Sequence, residues 1–166
     1  MIKIEFGSIS EATLRTEDLL KAFADKLGWI IDDNKDEIDP EDMKAYKKIL
    51  DDVNECYNDD GDLLEEKMDD AEWLVNNDLF DALNALAMPY QYFGSNEGDG
   101  ADFGFWFSYE SFEDDKRNSV KIVESIKDVK DMTFDEVEGT EYFATVTDHG
   151  NVTLYDVYGN EIWALV

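Results

Sequence analysis

The chain holds one cysteine, one histidine, two prolines and only fourteen Lys and Arg side chains among 166 residues, and each scarcity closes off a class of protein. A lone Cys56 excludes an intramolecular disulfide and fits a reducing compartment. A lone His149, read in a turn between Asp148 and Gly150, leaves few of the partnered side chains that nucleophilic or acid–base catalysis needs, so the chain does not read as an enzyme. Carboxylate pairs are no counter-argument, because 42 Asp and Glu would pair somewhere by chance. No stretch approaches the about 18 apolar residues of a membrane helix. Residues Met1 to Phe6 alternate like a short strand and lack the apolar run of a signal peptide, so the expectation is a cytoplasmic protein. No internal repeat and no linker rich in Pro, Gly or Ser divides the chain, which reads as a single domain over 1–166.

Positive charge is the most telling shortage. Against fourteen basic side chains stand 42 acidic ones, a formal net charge of −28. From Met68 to Asp115 there are twelve acids and no Lys or Arg, and from Asp131 to Val166 eight acids and again no base. Nucleic-acid binding requires clustered Lys and Arg, and the one cluster is Lys44, Lys47 and Lys48. A surface of this sign repels nucleic acid and anionic lipid and attracts a basic groove, which points to a nucleic-acid-binding protein as partner. Solubility alone, or adaptation to high salt, is the competing explanation; twelve Lys against two Arg is the reverse of a halophilic surface. Disorder is a second one, but 43% hydrophobic residues and 22 aromatics supply a packed core.

The hydrophobic period is helical in the first half and strand-like in the second. Leu19, Leu20, Phe23 and Leu27 predict a helix from Thr16 to Leu27, with Glu17 and Asp18 at its positive end and Gly28 as its stop. Asp39 followed by Pro40 predicts a second start, with Tyr46, Ile49, Leu50, Val53 and Tyr57 buried and Cys56 beside that stripe. Gly61 separates it from a third helix, Asp62 to Asn76, burying Leu64, Met68, Ala71 and Val75. A fourth, Asp78 to Ala87, buries Leu79, Leu83 and Leu86 before Pro89. From Tyr90 onward, aromatics, alternation and glycine turns predict an antiparallel sheet: a strand from Phe103 to Tyr109, then a meander of Tyr142 to Thr147, Asn151 to Tyr155 and Glu161 to Val166. Ser119 to Ile126 fits either a strand or a helix. The fold class is α+β, with residues 1–88 mainly helical and 89–166 mainly antiparallel sheet.

Two constellations carry chemistry. On the third predicted helix, Asp62, Glu65, Glu66, Asp69 and Asp70 recur opposite the apolar stripe as a carboxylate ladder. One helical turn advances about 5.4 Å, near the phosphate spacing along a nucleic-acid strand, so the ladder offers phosphate-like charge to a basic groove. Like charges one turn apart destabilise a helix, so without Lys partners the ladder has no internal benefit. The second is the block from Tyr92 to Trp106, where Gly94, Gly98, Gly100 and Gly104 interleave with Glu97, Asp99 and Asp102. A structural turn between strands is one reading of it, and a divalent-cation loop is another. The EF-hand pattern fails, since aligning Gly100 with the invariant glycine puts Trp106 where a bidentate Glu belongs. No cofactor is expected. Asp99 and Asp102, with Glu113, Asp114 and Asp115 from the same base-free stretch, join the ladder as candidate partner-binding residues. Trp73, Trp106 and Tyr109 are candidate interface aromatics, and a homodimer is compatible with them.

The Tyr92-Phe93-Gly94 and Gly98-to-Trp106 strings, with Asp148-His149-Gly150-Asn151-Val152-Thr153-Leu154-Tyr155, resemble signatures of small acidic proteins encoded by bacteriophages. The resemblance covers the last eighty or so residues. It implies a viral origin and transfers no activity. Phage inhibitors that imitate DNA against restriction and CRISPR enzymes are similar to this chain in acidity and size only. The expectation is a non-enzymatic inhibitor that occupies the basic groove of a host nucleic-acid-binding protein, or else an acidic adaptor or structural phage protein without mimicry.

Overall fold

The computed structural model describes residues 2–116, 118–129, 132 and 137–165. The chain is α+β and forms two compact units, Met1–Phe107 and Ser108–Val166. The division therefore falls at 107 rather than at the 88/89 change of hydrophobic period. The reason is pairing: a hairpin C-terminal to the helices hydrogen-bonds to a strand near the N-terminus.

In the first unit β1 (Gly7–Ser10) precedes α1 (Thr16–Asp33) and α2 (Pro40–Asn54). The strand begins where the expected alternation at residues 1–6 ends; Ile4, just before it, is buried, and its carbonyl accepts from Gln91 Nε2 at 3.3 Å. Helix α1 starts at Thr16 as the spacing predicts but runs through Gly28. Trp29, Ile30 and Ile31 follow in helical phase, and burying both isoleucines outweighs the about 1 kcal/mol helix penalty of one glycine. Asn34 ends it instead, its side-chain amide and its backbone N–H both donating to the Ile30 carbonyl at 2.9 and 3.0 Å. Helix α2 opens as expected, with the Asp39 carboxylate accepting from Glu41 N at 2.8 Å and Pro40 at the first position. Of its predicted stripe only Val53 is buried; Tyr46, Ile49 and Leu50 are half-buried, and Tyr57 lies beyond the helix in an isolated bridge with Leu63.

The two helices expected over 62–87 are one continuous helical run with three pitches. A 3-10 turn (Glu65–Lys67) leads into α3 (Met68–Trp73), a π-turn (Leu74–Asp78) and α4 (Leu79–Leu86). Each change of pitch shifts the inward phase, so Ala71, Leu74, Val75, Leu79, Ala82, Leu83 and Leu86 are buried while Met68 is turned out, 37% exposed. Asn76 and Asn77 donate their side-chain amides to the carbonyls of Glu72 and Trp73 at 2.8 and 3.1 Å, occupying acceptors where the wide turn alters the backbone ladder.

After Pro89, β2 (Gln91–Asn96) and β3 (Asp99–Phe107) form a hairpin that Glu97 and Gly98 close, and β1 pairs on the far side of β3 to give the antiparallel order β1-β3-β2. The glycine block is thus mostly strand, and β3 begins earlier than the expected Phe103. Phe23 of α1 meets Phe93 edge-on with ring centroids 4.9 Å apart, and Phe80, Phe103 and Phe105 extend this aromatic core.

In the second unit α5 (Tyr109–Asp115) replaces the predicted end of a strand, so Tyr109 is helical. Then come β4 (Val120–Ile122), α6 (Ile126–Val129), β5 (Tyr142–Val146), β6 (Val152–Tyr155) and β7 (Glu161–Leu165). The ambiguous Ser119–Ile126 segment supplies β4, which pairs in parallel with β5, so the sheet β4-β5-β6-β7 is mixed, not wholly antiparallel. Its last three strands are the predicted meander; Val166 lies outside the described residues. Phe112, Val120, Phe143, Leu154, Ile162 and Trp163 bury into its core.

Candidate partner-binding surface

The structure distributes the candidate acids over three places. Asp62, Glu65, Glu66, Asp69 and Asp70 lie together on the segment entering and forming α3, all exposed. Asp62 is not on a helix. Asn58 captures the chain first: its side-chain oxygen accepts from the backbone N–H of Asp60 and of Asp62, each at 2.9 Å, and Gly61 supplies a φ of +85°. The ladder is therefore a loop carboxylate followed by a 3-10 pair and an α-helical pair. Nor is it without a base, because Lys67 Nζ reaches Asp70 Oδ2 at 2.9 Å. Glu66 and Asp69 keep their carboxylates free of any hydrogen bond or ion pair among the described residues.

Asp99 and Asp102 belong to β3. Asp99 Oδ1 accepts from Ala101 N at 3.0 Å, bracing the hairpin end, while Asp102 is half-buried with Oδ1 unpartnered among the described residues. Glu113, Asp114 and Asp115 sit on α5 in the other unit, where Glu113 pairs with Lys116 at 2.8 Å. Among the described residues no three His, Cys, Asp or Glu side chains converge as a cation site, Glu97, Asp99 and Asp102 of the glycine block included.

Acidity belongs to both units: residues 1–107 carry 28 acids and nine bases, and residues 108–166 carry 14 acids and five bases. Arg15 pairs with Glu17 and Asp18, Lys48 with Asp52, Lys67 with Asp70 and Lys116 with Glu113, each within four residues along the chain. Local pairs between exposed side chains contribute little to stability and leave a large negative surplus facing water.

Of the interface aromatics, Trp106 is half-buried with Nε1 donating to the Gly94 carbonyl at 2.9 Å, a hairpin strut. Trp73 is 62% exposed and Tyr109 64%. Sequence reasoning missed Trp29, 49% exposed, with Lys26 Nζ 4.5 Å above its ring. Burial holds the Lys26 ammonium below the usual lysine range against the opposing pull of Glu5. A groove of about 560 Å³ runs beside this pair, lined by Ile9, Asp18, Lys21 and Asp25 among others. The i, i+3 spacing of Lys26 and Trp29 was the available signal. Lys44, Lys47 and Lys48 line a second open groove, about 680 Å³, along α2.

Cys56 is buried, and burial pushes its thiol up from the ordinary value, which keeps it from being a thiolate. His149 lies exposed in the turn between β5 and β6. No described helix is long and apolar enough to cross a membrane. Comparison with protein-family models, curated proteins and solved structures finds no match.

Proposed function

We propose that the chain is an acidic, phage-type inhibitor that acts in the host cytoplasm by occupying the basic groove of a nucleic-acid-binding protein, such as a restriction or CRISPR enzyme, and excluding its nucleic acid. The observation that carries this reading is the exposed carboxylate segment 62–70 on a scaffold with a formal charge of −28. The scaffold supports it as well. The segment is held by the Asn58 turn and by burial of Ala71, Leu74 and Val75 just beyond it, so its backbone is pre-positioned and does not have to be ordered on binding. A net field of this size steers a basic partner toward the chain and repels competing polyanions.

The test is competition. The immobilised chain is exposed to a bacterial lysate at low salt, and bound protein is eluted with duplex DNA or with salt. The expected result is a captured nucleic-acid-binding protein that duplex DNA displaces and whose retention falls steeply as salt rises. Capture that DNA leaves untouched, or that persists in high salt, would overturn the reading.

A further inference from the structure

We infer that Trp73 is the anchor of the acidic surface, stacking its indole on an arginine guanidinium of the partner while Glu66 and Asp69 meet the charge. This rests on the proposed acidic-inhibitor reading and names the chemistry of its contact.

Three observations carry it. The first is phase. Trp73 stands four residues after Asp69, one turn further along α3, and both are exposed, as is Glu66 in the 3-10 turn before them, while Ala71, Leu74 and Val75 are buried. The second is exposure. A tryptophan 62% open to water has no core to serve, and solubility alone would select against it at the end of an exposed acidic segment. The third is a comparison inside the molecule. Trp29 carries Lys26 4.5 Å above its ring, so its π-face is already occupied; Trp73 has no such cation among the described residues. Lys67, the nearest base in sequence, is engaged with Asp70.

Arginine fits the vacancy better than lysine. The guanidinium is planar and weakly hydrated, can lie flat on an indole, and still points its N–H fork at carboxylates one turn away. Basic grooves that bind nucleic acid use the same fork on phosphates. Asn76 and Asn77, tied to the carbonyls of Glu72 and Trp73, brace the backbone that carries the indole.

The probes are octa-arginine and octa-lysine peptides, titrated at low salt into the full chain. The Trp73 indole N–H signal is followed by NMR and identified as the one missing from Trp73→Phe. Octa-arginine should move that signal, and Trp73→Ala should weaken octa-arginine binding about threefold to thirtyfold. Trp73→Phe, which keeps a ring and the fold, should fall between, and octa-lysine should lose less than octa-arginine. If both peptides bind wild type and Trp73→Ala equally, the anchor is wrong and the acidic-surface reading stands. If neither peptide binds wild type, that reading falls and the anchor with it. Should sedimentation show wild type self-associating and Trp73→Ala monomeric, a second copy covers this face and the arginine assignment is overturned.

Discussion

A β-carbon added to Gly104 would run into the carbonyl oxygen of Gly7, so the backbone of β1 lies against β3 at a point where β3 has no room for a side chain. Gly7 itself holds a φ of +131°, a backbone conformation that side chains disfavour. Gly104→Ala is expected to separate the strands and cost about 1–3 kcal/mol, read as a lower thermal midpoint with faster amide exchange along β1. A variant that melts with wild type would show that the strands can part without loss.

Gly28 predicts the opposite. It sits inside α1 without a positive φ, and a β-carbon there would meet Leu50 Cδ1 at 3.8 Å, an ordinary contact. Gly28→Ala should therefore stabilise the chain by about 0.5–1 kcal/mol in denaturant titration, through helix propensity and a less mobile unfolded state.

Asp156 organises the turn between β6 and β7. Its Oδ1 accepts from the backbone of Tyr158 and Asn160 at 2.9 and 2.8 Å, and Oδ2 from the Asn160 side chain at 2.8 Å. Partial burial by itself would raise this carboxyl, but the bonds from Asn160, Tyr158 and Gly159 together hold it below the ordinary aspartate value. With the folded value below the unfolded one, its contribution is complete above the ordinary aspartate range and is lost as pH falls through the folded value. Asp156→Ala should lower stability at neutral pH by roughly 1–2 kcal/mol and narrow the gap to wild type in acid. A pH-independent gap would remove the carboxylate from the argument.

Reversing Asp62, Glu65, Glu66, Asp69 and Asp70 to Lys takes the formal charge from −28 to −18. Binding of the captured basic protein should drop by more than about tenfold, while self-repulsion within the chain is relieved. Undiminished affinity, measured by calorimetry, would move the contact to other acids.

What could be read in advance was local. Asp39 and Pro40 announce α2 because capping involves neighbouring residues, and the glycines at 150 and 159 announce the meander because their positive φ values, +84° and +82°, belong to tight turns. Gly28 misled because its intrinsic preference is small beside the burial of Ile30 and Ile31, and that burial depends on the rest of the fold. The pairing of Gly7 with Phe105 across the helices has no local signal, and without it the hairpin looks like the start of the C-terminal sheet. At the candidate surface, composition revealed the sign of the charge. Asp62 was misplaced because Asn58, four residues earlier, takes its backbone N–H. Trp73 could be flagged as an interface residue but not oriented, since a 3.6-residue period is blind to the 3-10 and π-turns on either side of α3.

The π-turn at Leu74–Asp78 holds one more residue per turn than the helices flanking it, and so acts as a rotational spacer. Winding these same residues as a regular α-helix from Met68 to Leu86 would instead turn everything upstream by about 100° relative to Leu79 and Leu83. Glu66, Asp69 and Trp73 would then leave their outward bearing with no change in composition. The aim of this surface is set by a length of backbone as much as by the side chains it displays.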